Sequence, residues 1–202
     1  MTSNRHTPDP EGPARVSSDD ALLDAAREGI LAVGWKRTTL TDVARRAGVS
    51  RMTIYRRWPD MQTLLADLMT REWAGMAGDA PTEASAPARQ RIAERVAATV
   101  TALRDNELFT KIVHVDPELL LPYLLDRRGR TQDTLLELLA AAVAEGQADG
   151  SVRTGDPTLL ARTVLLTAHG FAISASTMAD RDISVADLDA ELHTLTERYL
   201  AP

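Results

Sequence analysis

The sequence predicts an all-α protein, and three observations support this fold class. Alanine and leucine are abundant and aromatic residues make up only 4% of the chain, a composition that favours helices over sheets. Apolar residues recur at the three- and four-residue spacing of a helix face along most of the chain. No alternation of apolar and polar residues is long enough to indicate a strand. We expect about nine helices, divided between a small amino-terminal domain and a larger carboxy-terminal domain.

The composition limits the classes of protein that remain. The 202 residues are 44% apolar and 26% charged, as is ordinary for a globular protein. The absence of cysteine excludes disulfides, zinc fingers and thiol nucleophiles, and fits a cytoplasmic location. The four histidines match no metal-ligand spacing, so we expect no metal and no cofactor. Charged residues or a histidine interrupt the apolar segments 135–144 and 159–175, and we therefore expect no membrane span.

Residues 1–16 combine several prolines with polar side chains, and we expect them to form a disordered tail. The alternative is an arm that contacts nucleic acid, since Arg5 and Arg15 could reach a phosphate. The first helix should begin near residue 17 or 18 and end at Gly34, where glycine permits a sharp turn. Its inward face consists of four apolar residues at helical spacing: Leu22, Ala26, Ile30 and Val33.

The stretch from Thr39 to Trp58 predicts two short helices joined by a tight turn. The first carries an apolar stripe formed by Leu40, Val43, Ala44 and Ala47. Gly48 tolerates the positive φ that ends such a helix, and Ser50 is a good amino-terminal cap for the second helix. This arrangement describes the helix-turn-helix, whose second helix lies in the major groove of DNA.

The charge of this stretch agrees with that interpretation. Between Lys36 and Trp58 seven residues are basic and one is acidic, although the whole protein has a net charge of −6. The basic charge is therefore concentrated where the polyanionic DNA backbone would lie.

Trp58 is interpreted as a core residue that connects the second short helix to the next one, which Pro59 opens. A small, polar segment that contains proline, residues 78–87, is the best candidate for a domain boundary. We therefore assign residues 17–77 to the helix-turn-helix DNA-binding domain. Residues 88–202 are assigned to a helical domain that binds a ligand and forms a dimer.

Caps and prolines mark the helices of the second domain. Asp116-Pro117 is the signature of a capped helix, which Pro122 should bend or break. A long helix is expected over about 131–149, and the last two helices over about 157–177 and 184–200. The RRGR run at 127–130 is interpreted as solvated charge. Its alternatives are ion pairing with the acidic surface or contact with an acidic ligand.

The pattern T-x-x-x-V-A-x-x-A-G-V-S-x-x-T-I-Y-x-x-W at Thr39 to Trp58 closely resembles the TetR/AcrR family of bacterial transcriptional regulators. The specific similarity covers about residues 18–70, whereas only length and helical character are similar beyond it. The resemblance implies a homodimeric repressor that binds a palindromic DNA operator and is released by a small-molecule effector, here unknown. It also implies that the last two helices of each subunit form an intersubunit four-helix bundle.

The second short helix should carry the residues that contact bases, because arginine can pair with guanine and a methyl group can contact thymine. These residues are Arg51, Met52, Thr53 and Arg56. The alternative is that both arginines contact only phosphate. Phosphate contacts are expected from hydroxyl and basic groups, namely Lys36, Thr39, Thr41, Ser50, Tyr55 and Arg57. For Lys36, solvated charge is an equal alternative. Met52 departs from the family pattern, in which a smaller residue is usual.

Aromatic or titratable residues within apolar helical faces are candidates for a ligand pocket, since a few polar groups in an apolar wall orient a ligand. They are Phe109, His114, Tyr123, His169 and Phe171. A structural role for the histidines, or a dimer contact for His169 and Phe171, is the alternative. No nucleophile–base pair or phosphate-binding loop is recognisable, so we do not expect an enzyme. The rival function is a DNA-binding or architectural protein without an effector.

Overall fold

The computed structural model describes residues 18–78 and 85–202, and within these ranges it contains helices and no strand. The nine α-helices are α1 (Ser18–Val33), α2 (Leu40–Arg46), α3 (Arg51–Arg57), α4 (Met61–Gly78), α5 (Ala88–Asp105), α6 (Glu107–Val115), α7 (Arg130–Ala148), α8 (Pro157–Met178) and α9 (Val185–Leu200). The all-α prediction is confirmed. The expected tail at 1–16, and most of the expected linker, lie outside the described residues.

The amino-terminal helices pack around one apolar cluster, here called the first core. It contains most of the predicted inward residues of α1 to α3, including Leu22, Ile30, Val43 and Ile54. Val33, which was also predicted to face inwards, is only partly buried and does not belong to this cluster. Trp58 and two leucines of α4 complete its amino-terminal part. Leu108 and Ile112 of α6 belong to the same core, although they follow the expected domain boundary by more than twenty residues. The two halves of the chain therefore share one hydrophobic core.

The remaining helices pack around two further clusters. α5 lies against α8 and α9, and α7 lies against α8. One cluster joins Ile92, Val143 and Val164, and the other joins Leu103, Ala172 and Leu192. By length and composition alone, α8 could cross a membrane. In the structure, one face of α8 is buried against its three neighbours, and 33% of the apolar stretch is buried.

The segment after Asp116 differs from the capped helix that the sequence predicts. It contains a 3₁₀ turn at Pro117–Leu119 and a short π-helical turn at Pro122–Asp126. Pro122 has no N–H with which to continue a helix, which accounts for the break. The Asp116 carboxylate makes no cap and instead accepts a hydrogen bond from the backbone N–H of Trp35 at 2.8 Å. A tertiary contact has replaced the local one.

The start of α4 also differs in detail. The helix begins at Met61 rather than at Pro59, and Asp60 provides the cap by accepting from the Thr63 N–H at 2.7 Å. Pro59 therefore lies in the connection between α3 and α4, where it disfavours helical continuation from Trp58.

Candidate functional site

The two short helices α2 and α3 are held by local caps. The Thr39 hydroxyl accepts from the Asp42 N–H and donates to the Asp42 carboxylate, with an O–O distance of 2.6 Å. That hydrogen bond lowers the pKa of Asp42. Ser50 Oγ accepts from the Thr53 N–H at 3.1 Å, and Gly48 between the helices has a φ of 69°. The predicted helix-turn-helix geometry is therefore present.

One face of α3 is open to solvent while the other anchors the helix. Ile54 is completely buried in the first core, so its neighbours on the helix must point outwards. The exposed residues include Arg51, Tyr55 and Arg56, and Met52 is 78% exposed. Tyr55 is not a core residue, in agreement with the sequence analysis. The open face combines guanidinium, hydroxyl and thioether groups, which suits contacts with phosphates and base edges.

The basic residues around α3 differ in their pairing. Arg57 Nε lies 2.8 Å from Asp19 Oδ2, and Lys36 Nζ lies 2.7 Å from Glu118 Oε1. The hydrogen bond with Glu118 raises the pKa of Lys36. Among the described residues, Arg51 and Arg56 form no ion pair with a carboxylate. The two arginines expected to contact bases are thus available to an external partner. Arg57 and Lys36 would first have to break their ion pairs with Asp19 and Glu118.

Three further predicted phosphate contacts come from hydroxyl groups, those of Thr39, Thr41 and Ser50. All three lie at or next to the amino-terminal ends of α2 and α3, and their side chains are at least partly exposed. Since helix amino termini present unpaired N–H groups, this position suits an anion. Their contact with DNA stays a prediction.

Trp58 connects α3 to α4, and the prediction that it is a core residue is confirmed. Its side chain is 1% exposed, and its Nε1–H donates to Asp67 Oδ2 on α4 at 2.9 Å. The Arg57 guanidinium lies 5.6 Å from the centre of the indole ring. The indole therefore holds the end of α3 against α4 by packing and by a hydrogen bond.

A cavity of about 220 Å³ lies between α4, α6, α7, α8 and the segment that follows α6. Apolar and aromatic side chains form most of its wall, including Trp73, Phe109 and Ile173. Three of the predicted pocket residues line it, namely Phe109, Tyr123 and His169. His169 makes no hydrogen bond to a described residue through its ring, and burial lowers its pKa, so the imidazole is neutral at pH 7.

The two other predicted pocket residues, His114 and Phe171, do not line this cavity. His114 is exposed on the outer side of α6, because Ile112 occupies the inner side. Phe171 packs against the cluster around Leu192, on the side of α8 away from His169. The rotation of each helix against its neighbours decided these positions. Trp73 lines the cavity but was not among the predicted pocket residues, and Arg127 and Arg130 of the RRGR run, for which ligand contact was one alternative, also line it. The spacing of Leu65, Met69 and Trp73 was the available signal for the tryptophan.

The cavity and the first core share side chains. Ile112 is buried in the first core and also lines the cavity. Leu65 and Met69 of α4, and Leu119 and Leu120 of the 3₁₀ turn, likewise pack against the first core and line the cavity. A molecule in the cavity would therefore contact the residues that support the helix-turn-helix.

A polar junction reinforces this connection. Asp116 is 2% exposed and binds the Trp35 N–H, while the adjacent Glu118 pairs with Lys36. Glu118 also lines the cavity. The segment of 116–118 thus contacts the turn before α2 on one side and the cavity on the other.

α8 and α9 leave an apolar face uncovered. Leu159 and Leu166 lie two helical turns apart on α8, and Leu166 is 73% exposed. Gly170, one turn later, has open space around the position of a Cβ atom. Leu195 on α9 is also exposed. Exposed large apolar residues at regular spacing on neighbouring helices are typical of a protein interface.

The part of the chain that the structure describes contains no group of three or more side chains able to hold a metal ion.

Comparisons with known proteins agree with this geometry. A family model described as "Bacterial regulatory proteins, tetR family" matches residues 22–68. Over 186 residues the chain is 35% identical to an uncharacterized HTH-type transcriptional regulator of Mycobacterium tuberculosis, covering 92% of this chain and 96% of that protein.

Two solved structures share the fold. A protein of unknown function from Rhodococcus sp. RHA1 has a TM-score of 0.69 at 23% identity, over 95% of this chain and all of that one. The fatty acid degradation regulator FadR from Bacillus halodurans has a TM-score of 0.63 at 18% identity, over 92% of this chain and 97% of that one.

Proposed function

Because this chain belongs to the tetR family of bacterial transcriptional regulators, which bind DNA, we propose that it is a ligand-responsive repressor. In this proposal a homodimer binds a palindromic operator in the cytoplasm, and a small molecule in the cavity releases it. The observation that carries the proposal is the shared wall of the cavity and the first core, formed by Ile112, Leu65 and Met69.

DNA recognition is assigned to the exposed face of α3. Arg51 and Arg56 have no internal carboxylate partner among the described residues, so they can pair with guanine without breaking an ion pair. Met52 and Thr53 offer methyl groups to thymine. Tyr55, Thr41 and Ser50 are assigned to phosphate. Thr39, Arg57 and Lys36 would join them by exchanging their carboxylate partners. Phosphate contacts position the helix, whereas base contacts determine the sequence.

Substitutions on α3 separate these two roles. Arg51→Ala or Arg56→Ala is expected to cost about 1–3 kcal/mol with the preferred operator and to relax the preference at one base position. Tyr55→Phe removes one phosphate contact and should weaken binding to all sequences about equally. A binding-site selection on each variant measures this difference. An unchanged sequence profile for both arginine variants would contradict the base-reading assignment.

Effector binding is assigned to the cavity. A ligand shifts a conformational equilibrium only by its different affinity for the two states. Shared contacts support such a difference in affinity, because Ile112, Leu119 and Leu120 contact both the ligand space and the first core. A small movement of these side chains would change how α1 to α3 sit relative to the second half of the chain.

A thermal-shift screen of small molecules, followed by a measurement of operator affinity, tests whether the protein responds to an effector. A molecule that binds only the folded protein raises its melting temperature. The proposal expects that such a molecule also lowers affinity for the operator. Stabilising molecules that leave DNA affinity unchanged would favour the rival function, a DNA-binding regulator without a small-molecule effector.

Dimerisation is assigned to the apolar face of α8 and α9. In a two-fold symmetric dimer the same patch of each subunit meets its copy, and Leu166 and Gly170 would permit close helix packing.

We expect Leu166→Glu to weaken the dimer by about two orders of magnitude or more, because a buried charge would lack a partner. Light scattering after size-exclusion chromatography gives the mass. Leu138→Glu, at an exposed leucine of α7, is the control. A variant at Leu166 that stays dimeric would exclude this face.

A further inference from the structure

One of the charges around the cavity is not balanced by an internal ion pair within the described part of the chain. Three of its lining residues are charged, namely Glu118, Arg127 and Arg130. Glu118 is paired with Lys36 at 2.7 Å, and Arg130 lies 2.5 Å from Asp67. Arg127 has no carboxylate partner among the residues that the structure describes. One uncompensated cation therefore faces a cavity whose remaining wall is mostly apolar.

The position of Arg127 makes it suitable for a ligand. Its guanidinium lies 5.4 Å from the centre of the Tyr123 ring, so the aromatic face holds the planar group in place. Both residues line the cavity. Arg128, the next residue, points elsewhere: its Nε lies 2.8 Å from Asp133 Oδ1, and it does not line the cavity. Within the RRGR run, Arg128 and Arg130 are thus each paired with an aspartate. Arg127 is left to pair with the anionic group of a ligand.

The rest of the wall selects an apolar body. Trp73, Phe109 and Ile173 provide large apolar surfaces, and burial of such surface favours a hydrocarbon chain or ring system. His169 adds one polar group to this wall. A fully polar anion would gain nothing from the apolar wall, and a cation would be repelled by the positive charge of Arg127.

We propose that the effector is an amphipathic carboxylate, with its hydrocarbon part in the apolar cavity and its carboxylate on the Arg127 guanidinium. The inference rests on the proposed function, since it names the chemical class of the molecule that the cavity takes. A guanidinium presents two parallel N–H groups to a carboxylate, which gives direction as well as charge complementarity.

Three probes of equal length test the inference: octanoate, 1-octanol and protonated octylamine. Isothermal titration of the full chain at pH 7, below the micelle concentration, gives each affinity. We expect octanoate to bind about threefold to tenfold tighter than octanol, a modest range because Arg127 is exposed to solvent. Octylamine should bind most weakly. Equal binding of the acid and the alcohol, or tighter binding of the amine, would overturn the inference.

Matched variants locate the charge that matters. Arg127→Gln should remove the preference for octanoate over octanol and leave the affinity for octanol within about twofold, while Arg127→Lys should retain part of the preference. Arg128→Gln is the control and should keep the full preference. A preference that persists in Arg127→Gln, or that disappears in Arg128→Gln, would contradict the assignment.

The outcomes separate this inference from the proposed function. If octanol and octanoate bind equally, the cavity is a ligand site without selection for a carboxylate, so the inference fails and the proposed function stands. If none of the three probes binds, the inference fails together with the assignment of this cavity to the effector.

Discussion

Replacing Trp58 with alanine is expected to lower the free energy of unfolding by about 3–5 kcal/mol, the usual cost of removing a buried tryptophan. The indole is 1% exposed and fills the junction of α3 and α4. Its loss also removes the hydrogen bond to Asp67 at 2.9 Å. Because α3 would lose its anchor at the carboxyl end, DNA affinity should fall as well. Urea unfolding followed by circular dichroism measures the first effect, and fluorescence anisotropy with operator DNA measures the second.

Trp58→Phe is the matched control for this experiment. Phenylalanine keeps most of the apolar contact but cannot donate to Asp67, so we expect a smaller loss of about 1–2 kcal/mol. Asp67 keeps Arg130 as a partner, which limits the penalty. A loss below about 1 kcal/mol for Trp58→Ala would show that the indole does not anchor α3.

Replacing Leu108 with alanine is expected to cost about 2–5 kcal/mol and to weaken DNA binding, although Leu108 lies on α6 and far from α3 in sequence. The side chain is completely buried in the first core, beside residues of α1 and α4. Removing it leaves a void at the junction between the two halves of the chain. A shift of α1 should then change the position of the helix-turn-helix that packs against α1.

Leu125→Ala is the control, since Leu125 is a leucine that is 75% exposed. A surface substitution of this kind is expected to change stability by no more than about 0.5 kcal/mol. Both variants are measured by urea unfolding and by operator binding. If Leu108→Ala behaves like Leu125→Ala, the amino-terminal helices do not depend on α6, and the shared first core cannot transmit a signal.

The shared core gives this regulator a short physical path between the helix-turn-helix and the cavity. Ile112 contributes to the first core and to the cavity wall, so no long chain of intermediates is needed. Asp116 and Glu118 add polar contacts with the turn before α2. Asp116, which accepts from the backbone N–H of Trp35, is 2% exposed, and a buried polar group without its partner costs about 1–3 kcal/mol. Packing and polar contacts therefore join the two halves at the same place.

The helix-turn-helix was predictable because neighbouring residues determine it. Thr39 and Ser50 cap their helices through bonds that span three residues, and Gly48 supplies the positive φ of the turn. Ile54 and Trp58 were expected in the core, and both are buried. Such interactions act over one or two helical turns, so the order of residues displays them directly.

The cavity was predictable only in part. His169 and His114 both occur in apolar helical segments, yet one lines the cavity and the other is exposed. Helical spacing gives the relative positions of side chains on one helix, but the rotation of that helix depends on its partners. Asp116 had the signature of a cap, but its carboxylate accepts a hydrogen bond from the backbone N–H of Trp35, which lies 81 residues away in sequence.

The sequence by itself predicted most of the helices, the caps at Thr39 and Ser50, the inward position of Ile54 on α3 and the family to which the chain belongs. The tertiary structure alone decided that α6 completes the first core, which histidine faces the cavity and which arginine of the RRGR run is left without a partner. The physical reason is distance along the chain. Caps and turns are completed within a few residues, whereas a cavity wall and an ion pair require side chains from separate helices, brought together only when the apolar faces are buried.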